Sequence, residues 1–527
     1  MADFSKLPYD VVNTLVAPRG EKGYSVQPEP ICQKNFGFLR KSGILMPISS
    51  LPSTGGIGAF GKEAYDFVDF LHAAGQTCWQ VLPLNPTSYG DSPYQSPSSM
   101  AGNPYFVDPE TLVAEGLLTP DEAEAGRLGE GRIDYGRLFE TRYPLLRKAY
   151  TRFVPNEDFD TFCRTNAGWL DDYALFMALK THYDNRPWVE WDKEHREIAS
   201  ARVAYDKFSH ECGFWKWVQY AFFTQWSALA DYAHARGIRI IGDMPIYVAH
   251  DSMEVWREPA QFLLDRYGMP AVVAGCPPDA YSATGQVWGN PIYDWSRMEK
   301  EGFTWWIRRL ERSFALYDIL RIDHFRGFAG YYVIPAGEST ALGGHWEVAP
   351  GHALFAAVRD AYPGCRIIAE DLGMITDDVR ELLADTALPG MKVIQFAFYD
   401  EDNEYLPRMY ETDNCVVYTA THDSDTTPTW YETLDEDARE RFARECPTAT
   451  HETPTDAAIA LAMTSRANLA VITMQDYMGL PSEEGRMNVP SVATGNWTWR
   501  VSPDYATHAL VDHIRELTAK GGRLANA

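Results

Sequence analysis

The sequence predicts an α/β fold in which eight parallel strands close into a (β/α)8 barrel of the TIM type. Eight short apolar runs recur along the 527 residues, helix-period segments separate most of them, and acidic residues stand at the ends of several runs. Strands that alternate with helices are typical of a parallel sheet covered by helices. The predicted strands occupy residues 43–48, 78–84, 238–244, 317–323, 366–371, 391–398, 415–423 and 468–476.

The apolar runs are continuous rather than alternating, as strands buried on both faces of a parallel sheet require. An open, doubly wound sheet is the structural alternative. No GxGxxG pattern follows the first run, which counts against a dinucleotide-binding sheet of that kind. Acidic residues lie at the ends of the third, fourth, fifth and seventh runs, and their side chains would converge only if the sheet closes. We therefore expect a barrel.

Helical periodicity is clearest in three segments, at 63–75, 226–237 and 303–317. The first two end in Gly75 and Gly237, and glycine favours the left-handed backbone that often terminates a helix. These segments have the length and position expected of helices that connect barrel strands.

Two stretches are too long to be simple connections between strand and helix. Residues 85–225, approximately, separate the second and third predicted strands and are expected to form a mostly helical subdomain that includes 170–183. A second insertion of about 245–302 follows the third strand. Both follow the C-terminal end of a strand, which places them around the barrel mouth. We expect one catalytic domain over 1–527, decorated by these two insertions.

Composition narrows the classes of function. A net charge of −26 and an isoelectric point near 4.9 argue against nucleic-acid binding, which needs clustered Lys and Arg. No apolar stretch is long enough to span a bilayer, and the N-terminus does not resemble a secretion signal. The eight cysteines form no close pairs, which is typical of a reducing compartment. We expect a cytoplasmic protein without a membrane or nucleic-acid partner; the sequence indicates no oligomeric state.

The sequence gives no reason to expect a metal or a cofactor. His345 and His352 are seven positions apart and lack an HExxH pattern, so they make a poor zinc site. The glycines of residues 54–58 lack the Lys-Ser/Thr ending of a phosphate-binding loop.

Three carboxylates at predicted strand ends carry the main functional hypothesis: Asp323 in RIDHFRGF, Glu370 in IIAEDLG and Asp423 in TATHDSDT. Cleavage of a glycosidic bond with retention needs a carboxylate nucleophile and a second carboxyl group roughly 5 Å away that acts as acid and base. Arg321 points to the same side of its strand as Asp323 and is expected to hold that carboxylate ionised.

Glu370 is predicted to be the proton donor. We expect its pKa to be raised by the like charge of its neighbour Asp371 and by partial burial. Each of these residues taken alone is better explained by a structural ion-pair cluster at the barrel rim. The third acidic site, where His422 and Asp423 could bind sugar hydroxyls, makes catalysis the better explanation for the set.

The chain resembles the 4-α-glucanotransferases, the amylomaltase or disproportionating-enzyme family, which is related to the α-amylase superfamily. The resemblance runs from GILMPISSLPSTGGIGAFG to GNWTWR, and RIDHFRG, AEDLG and THD in that order are its most specific motifs. It implies that Asp323 is the nucleophile, that Glu370 is the acid/base and that Asp423 stabilises the transition state. It also implies that the partners are α-1,4-glucans such as maltooligosaccharides, amylose and glycogen, and that no cofactor is needed.

The same resemblance implies a set of substrate-binding residues placed by the family motifs. These are Tyr94, Asp243, Gln286, Trp288, Arg321, His324 and His422. Three positions depart from common family residues, namely Ala280, Ser424 and Ser491. They concern the shape of the groove, and hence chain-length preference and glucan cyclisation.

Two other functions remain open from the sequence. An α-amylase-like retaining hydrolase would use the same three acids, since the preference for transfer over hydrolysis comes from the resemblance alone. A glucan-binding protein without activity would keep the barrel and use the acids only as hydrogen-bond acceptors.

Overall fold

The computed structural model describes residues 40–524 apart from 89, 279–281, 374 and 447–452. Residues 1–39 and Ala280 therefore lie outside the described residues. The twelve strands of the described part are β1 (Lys41–Leu45), β2 (Cys78–Gln80), β3 (Arg239–Pro245), β4 (Val272–Cys276), β5 (Gln286–Pro291), β6 (Ile319–Asp323), β7 (Gly330–Pro335), β8 (His345–Val348), β9 (Ile367–Ala369), β10 (Gly390–Val393), β11 (Cys415–Tyr418) and β12 (Leu469–Thr473).

Eight of these strands form the predicted barrel. They pair in the order β10, β11, β12, β1, β2, β3, β6, β9, and every pairing is parallel. A backbone hydrogen bond of 2.9 Å from Ala369 N to Pro389 O joins β9 to the residue before β10, which nearly closes the ring. Each of the eight predicted runs contains or overlaps one of these strands, so the predicted fold is confirmed.

The helices follow the strands around the outside of the barrel and fill the long insertion. They are Lys62–Ala73, Pro109–Ala114, Pro120–Ala125, Tyr135–Tyr150, Glu157–His182, Lys193–Arg196, Ile198–Val203, Ser209–Ala235, Met253–Arg257, Trp295–Lys300, Thr304–Leu316, Gly351–Ala361, Asp377–Thr386, Thr427–Thr433, Glu436–Glu445, Pro454–Thr464, Met474–Tyr477, Ser482–Gly485 and His508–Lys520.

The three helices predicted from periodicity are present. Helices Lys62–Ala73 and Ser209–Ala235 are followed by Gly75 and Gly237, whose φ angles of 72° and 74° lie in the left-handed region. Ser209–Ala235 is much longer than the predicted 226–237, because it begins within the insertion predicted at about 85–225. There it packs against Glu157–His182.

A four-stranded antiparallel sheet stands beside the barrel, and the sequence reasoning did not predict it. Its strand order is β5, β4, β7, β8. The strands β4 and β5 come from the segment after β3, whereas β7 and β8 follow β6 directly. The sheet thus connects two loops at the barrel mouth, and its strand β7 begins only seven residues after Asp323.

The barrel strands are almost entirely buried, which matches their continuous apolar sequence. Ile241, Ile322, Ile368 and Ile472 have no exposed side-chain surface. At Gly242 the packing is so close that a Cβ atom would lie 2.1 Å from the ring of Tyr317. Across the described residues, no helix combines the length and the apolar character needed to cross a bilayer.

Candidate active site

A cleft of about 760 Å³ opens at the C-terminal ends of the barrel strands. In a (β/α)8 barrel this is the end at which active sites are built. Nine of the ten predicted site residues line the cleft, namely Tyr94, Gln286, Trp288, Arg321, Asp323, His324, Glu370, His422 and Asp423. The tenth, Asp243, lies beneath the cleft floor with its side chain fully buried.

Asp323 and Glu370 are placed side by side by adjacent parallel strands. The register of β6 against β9 pairs Ile322 with Ala369, so the next residues on each strand are Asp323 and Glu370. A hydrogen bond of 3.0 Å from Glu370 N to Ile322 O continues the ladder to this point. Neighbouring strands are about 4.8 Å apart, and paired residues project from the same face of the sheet. The two carboxyl groups therefore face the cleft as close neighbours.

Glu370 is oriented by two backbone N–H groups. His324 N donates to Oε2 at 2.6 Å, and Leu372 N donates to Oε1 at 2.8 Å. The first contact depends on the left-handed backbone of His324, with φ of 54°, which is uncommon for a residue other than glycine. That conformation turns the chain from β6 into the short helix Phe325–Phe328 and aims the His324 N–H at the carboxyl group.

The Arg321 guanidinium joins two acids of the site. Its Nη1 donates to both carboxylate oxygens of Asp243 at 2.7 Å, and its Nη2 donates to Asp323 Oδ1 at 3.0 Å. Arg321 is only 3% exposed. Asp243 thus lies behind Arg321 rather than in the cleft, and it fixes the guanidinium that orients Asp323.

Tyr94 links this pair to the third acid. Its hydroxyl donates to Asp243 Oδ2 at 2.7 Å and lies 2.9 Å from His422 Nε2. The same His422 nitrogen lies 3.2 Å from Asp423 Oδ2. The rings of Tyr94 and His422 are stacked, with centroids 5.4 Å apart. A continuous polar chain therefore runs from Asp323 through the buried Asp243 to Asp423.

The three acids differ in protonation because their surroundings differ. Burial raises the pKa of Asp323 to about 6, against the opposing effect of Arg321. Burial and the neighbouring Asp323 charge raise the pKa of Glu370 to about 7. In Asp423, by contrast, His422 and Asn488 outweigh burial and lower the pKa to about 2. The site therefore combines a permanently ionised acid with a coupled pair that titrates near neutrality.

Two details of the electrostatics differ from the sequence expectation. Arg321 contacts Asp323 as expected, yet the net pKa shift of Asp323 is upward because burial is the larger effect. For Glu370, the like charge comes from Asp323 and not from Asp371. The Asp371 side chain instead accepts a hydrogen bond of 2.6 Å from Met391 N, at the start of β10.

Aromatic and amide side chains form the wall beside Glu370. The Trp288 indole N–H donates to Gln286 Oε1 at 3.1 Å, and its ring meets the His324 ring edge-on at 4.8 Å. Burial lowers the pKa of His324 to about 3, so its imidazole is neutral. These groups supply a flat apolar face and polar atoms at the cleft surface, the usual lining of a ligand pocket.

Sequence reasoning missed several cleft residues on the segment after β12. Asn488 Nδ2 donates to Asp423 Oδ1 at 2.6 Å, and the Trp497 ring lies 5.7 Å from Tyr94 and 5.9 Å from His422. The motif MNVPSVATGNW contains both residues and was available as a signal. Ser491 in this segment adopts φ of 67°, a left-handed backbone that glycine adopts more readily than serine. Ser424 lines the cleft and lies 3.2 Å from the Thr421 hydroxyl.

Among the described residues, no group of three or more His, Cys, Asp and Glu side chains is arranged to hold a metal ion.

Comparison with known proteins agrees with this geometry. A family model described as 4-α-glucanotransferase matches residues 46–506. The 4-α-glucanotransferase of Clostridium butyricum is 46% identical over 490 residues, which are 91% of this chain and 100% of that protein. A chloroplastic/amyloplastic 4-α-glucanotransferase of Solanum tuberosum is 40% identical over 92% of this chain and 87% of its own length.

A solved structure leads to the same family. The amylomaltase from Streptococcus agalactiae in complex with acarbose superimposes with a TM-score of 0.89 at 39% identity, covering 92% of this chain and 100% of that one. The family model and these relatives each span most of the chain, and the family model includes every cleft residue described above. The chain therefore belongs to the 4-α-glucanotransferase family.

Proposed function

We propose that the enzyme transfers an α-1,4-glucan segment, with retention of configuration, from a donor glucan to the 4-hydroxyl of an acceptor glucose or maltodextrin. The observation that carries the proposal is the adjacent placement of Asp323, the last residue of β6, and Glu370, the residue that follows β9. Retaining mechanisms need two carboxyl groups about 5 Å apart. One carboxylate attacks the anomeric carbon, while the other carboxyl group protonates the glycosidic oxygen that leaves the same carbon.

In the first step, an Asp323 carboxylate oxygen bonds to the anomeric carbon of the donor. The glycosidic C–O bond breaks, and Glu370 gives its proton to the leaving 4-oxygen. The raised pKa of Glu370 keeps a proton available near neutral pH. The product of this step is a covalent glycosyl-enzyme, with the leaving chain released as an alcohol.

In the second step, the now ionised Glu370 takes the proton from the 4-hydroxyl of an acceptor sugar. The acceptor oxygen attacks the anomeric carbon, and the ester bond to Asp323 breaks to regenerate the carboxylate. Two displacements at the same carbon restore the original configuration. Glu370 ends the cycle protonated, as it began.

Asp423 is assigned to the donor sugar. Its pKa of about 2 keeps it ionised, so it accepts hydrogen bonds from sugar hydroxyls throughout the cycle. Its oxygens are positioned by Asn488 and His422. Such bonds favour the transition state when they strengthen as positive charge develops on the sugar ring.

We propose α-1,4-glucans as the substrates, from maltooligosaccharides to amylose and glycogen, with no cofactor. The streptococcal amylomaltase was solved with acarbose, and its chain aligns over the whole of its length. We also propose that the enzyme works in the cytoplasm, since the seven cysteines among the described residues are free thiols, as in proteins of reducing compartments.

Incubation of the pure enzyme with maltotriose tests this proposal against the hydrolase alternative. A transferase produces a ladder of longer and shorter maltooligosaccharides while the total number of reducing ends stays constant. A rise in reducing ends in step with the loss of maltotriose would show hydrolysis and would contradict the proposal.

The nucleophile is tested with Asp323→Ala, which should lower kcat by a factor of about 10⁴ or more because covalent catalysis is lost. Asp360→Ala is the matched control, since its side chain is 81% exposed on helix Gly351–Ala361 and lies outside the cleft. Activity of Asp323→Ala within tenfold of the unchanged enzyme would mean that another group is the nucleophile.

A further inference from the structure

Strand β8 carries an exposed aromatic ring at the edge of the antiparallel sheet. Every residue of His345–Val348 is exposed, and Trp346 has 37% of its surface accessible. An exposed edge strand that carries a large apolar side chain is a liability in a soluble protein. Trp346 nevertheless borders the same cleft as the three acids.

The Trp346 ring is held in place by two neighbours. The Arg326 guanidinium lies over its face, 3.8 Å from the ring centroid, and Tyr332 meets it edge-on at 5.1 Å. Arg326 is 7% exposed and Tyr332 is 6% exposed, so both supports are part of the packed structure. A ring fixed on one side by a cation–π contact presents a rigid flat surface at little further entropic cost.

The chain connectivity places Trp346 on the Glu370 side of the cleft. The turn that begins at His324 donates a hydrogen bond to Glu370 and continues through Arg326 into β7, which pairs with β8. Asp423, His422, Tyr94 and Trp497 contact one another, and the charges of Asp423 and His422 influence the pKa of Asp323, whereas the pKa of Glu370 is shifted mainly by burial, Asp323 and Arg321. The cleft therefore has a flank that carries the acid/base and a flank that carries the ionised Asp423.

We propose that Trp346 is a sugar-stacking platform for the acceptor chain, on the acid/base side of the cleft. This inference rests on the proposed function, since the group protonated by Glu370 is the oxygen that joins the donor sugar to the leaving chain. The leaving chain, and the acceptor that replaces it, must extend past Glu370. The apolar face of a glucose ring stacks on an indole, as Trp346 offers at that end.

Kinetics that separate the two half-reactions test this assignment, with α-maltotriosyl fluoride as donor and maltose as acceptor. Fluoride leaves without a sugar on the acceptor side, so single-turnover fluoride release reports formation of the glycosyl-enzyme alone. Transfer to maltose reports acceptor binding. The variants are Trp346→Ala, the conservative Trp346→Phe, and Val348→Ala as control.

Val348 is a matched control because it lies two residues further along β8, on the same face as Trp346, and is 88% exposed outside the cleft. We expect fluoride release within twofold of the unchanged enzyme in all three variants. The maltose concentration for half-maximal transfer should rise about tenfold in Trp346→Ala, the loss expected for one aromatic contact. In Trp346→Phe, which retains an aromatic face, this maltose concentration should rise by less than about threefold. In Val348→Ala it should stay unchanged.

An unchanged maltose requirement in Trp346→Ala overturns the assignment, and so does a parallel loss of fluoride release, which would place the ring on the donor side or in the fold. Failure of the proposed function has a different signature, because it would be seen in the unchanged enzyme as fluoride release without any transfer to maltose.

Discussion

Arg321 binds Asp243 and Asp323 through the two ends of one guanidinium, with Nη1 2.7 Å from both Asp243 oxygens and Nη2 3.0 Å from Asp323 Oδ1. The fully buried Asp243 carboxylate balances the charge of Arg321 and holds its guanidinium in place. Arg321 can therefore orient Asp323 from a fixed position. The planar, forked geometry of arginine is needed for this, since a single ammonium group cannot face both acids.

Replacement of Arg321 by Lys should therefore damage catalysis although the charge is retained. We expect kcat/KM to fall by about 10²-fold because Asp323 loses its orienting partner. Arg321 lowers the pKa of Asp323, so weakening that contact raises it further, and the acidic limb of the pH–rate profile should move to higher pH. The measurement is kcat/KM for maltotriose between pH 4 and 9, roughly.

Arg132→Lys is the control for this substitution. Arg132 is an exposed arginine that donates to the carbonyl oxygens of Glu483 and Glu484, outside the cleft. Its variant should keep both the rate and the pH profile. Loss of rate in Arg321→Lys with an unshifted acidic limb would contradict the electrostatic role of Arg321.

The pH dependence of the unchanged enzyme follows from the coupled pair. In the proposed mechanism the first step needs Asp323 ionised, so the rate is expected to rise as pH increases through its pKa of about 6. It also needs Glu370 protonated, so the rate falls as pH increases through its pKa of about 7. We expect a bell-shaped kcat/KM profile with its maximum between these values, and its two apparent pKa values belong to the pair.

Asp371→Asn separates the two explanations for the raised pKa of Glu370. Asparagine can still accept the Met391 N–H through its Oδ1, so the local structure should persist. If the like charge comes from Asp323, the alkaline limb of the profile stays in place. A move of that limb to lower pH would restore Asp371 as the source.

The barrel was predictable because its strands are short and buried on both faces, so that each one is a continuous apolar run in the sequence. Two strands of the antiparallel sheet, β5 and β8, are not continuous apolar runs. Strand β5 contains Gly289 and Pro291, and the residues of β8 are all exposed. The apolar residues of this sheet that are buried, such as Val273 on β4 and Ile334 on β7, pack across it, and such pairing depends on tertiary contacts that no local pattern records.

The site was predictable to the extent that its residues stand at strand ends or in recognisable motifs. The strand ends located Asp323 and Glu370, because parallel strands bring their C-terminal residues together. The polar chain through Asp243, Tyr94 and His422 joins residues up to 328 positions apart. The packing of whole loops decides which side chains form hydrogen bonds over such sequence separations. The sequence therefore did not reveal that Asn488 binds Asp423.

Asn488→Ala tests the orientation of Asp423. Asn488 Nδ2 donates to Asp423 Oδ1 at 2.6 Å, and loss of a hydrogen bond to a charged group costs about 1.5–3 kcal/mol. We expect kcat/KM to fall between about 10- and 100-fold. Asp423 has a pKa of about 2, so it stays ionised near neutrality and the pH profile should keep its shape.

The control for Asn488→Ala is Asn414→Ala, which removes a hydrogen bond of 3.0 Å to Ala387 O away from the cleft. It is expected to change stability and not kcat/KM. Equal losses of kcat/KM in the two variants would show that the effect of Asn488 is structural and not specific to Asp423.

Gly242→Ala tests the packing of the barrel. A Cβ atom on Gly242 would lie 2.1 Å from the Tyr317 ring, which is buried and whose hydroxyl accepts from Leu84 N at 3.3 Å. We expect the free energy of unfolding to fall by about 1–3 kcal/mol, the usual cost of overpacking a core. Thermal or denaturant unfolding measures it.

Gly168→Ala is the matched glycine control. Gly168 lies inside helix Glu157–His182, and a Cβ atom added there would meet no atom within 4 Å, so alanine should be accommodated. Helix propensity predicts a gain of about 0.5–1 kcal/mol. A destabilised Gly168→Ala, or an unaffected Gly242→Ala, would contradict the packing described for these two sites.

Glu370→Ala separates the two roles, acid and base, that we propose for Glu370. Glutamine is less suitable, because its amide N–H would face one of the two backbone donors, His324 N and Leu372 N, that hold the carboxyl group. On maltotriose, whose leaving oxygen needs a proton, the rate should fall by about 10²–10⁴-fold. On α-maltotriosyl fluoride, formation of the glycosyl-enzyme should stay within about tenfold of the unchanged enzyme, because fluoride leaves without a proton.

The second step in this variant lacks its base, so the glycosyl-enzyme on Asp323 should accumulate and be detectable by mass spectrometry. Azide is already an anion and needs no base to attack, so it should restore turnover and enter the space left by the Glu370 side chain. The product expected from two displacements is α-maltotriosyl azide, identified by the coupling constant of its anomeric proton. The β-azide would mean a single displacement and no covalent intermediate, and equal losses on both donors would remove the case for Glu370 as proton donor.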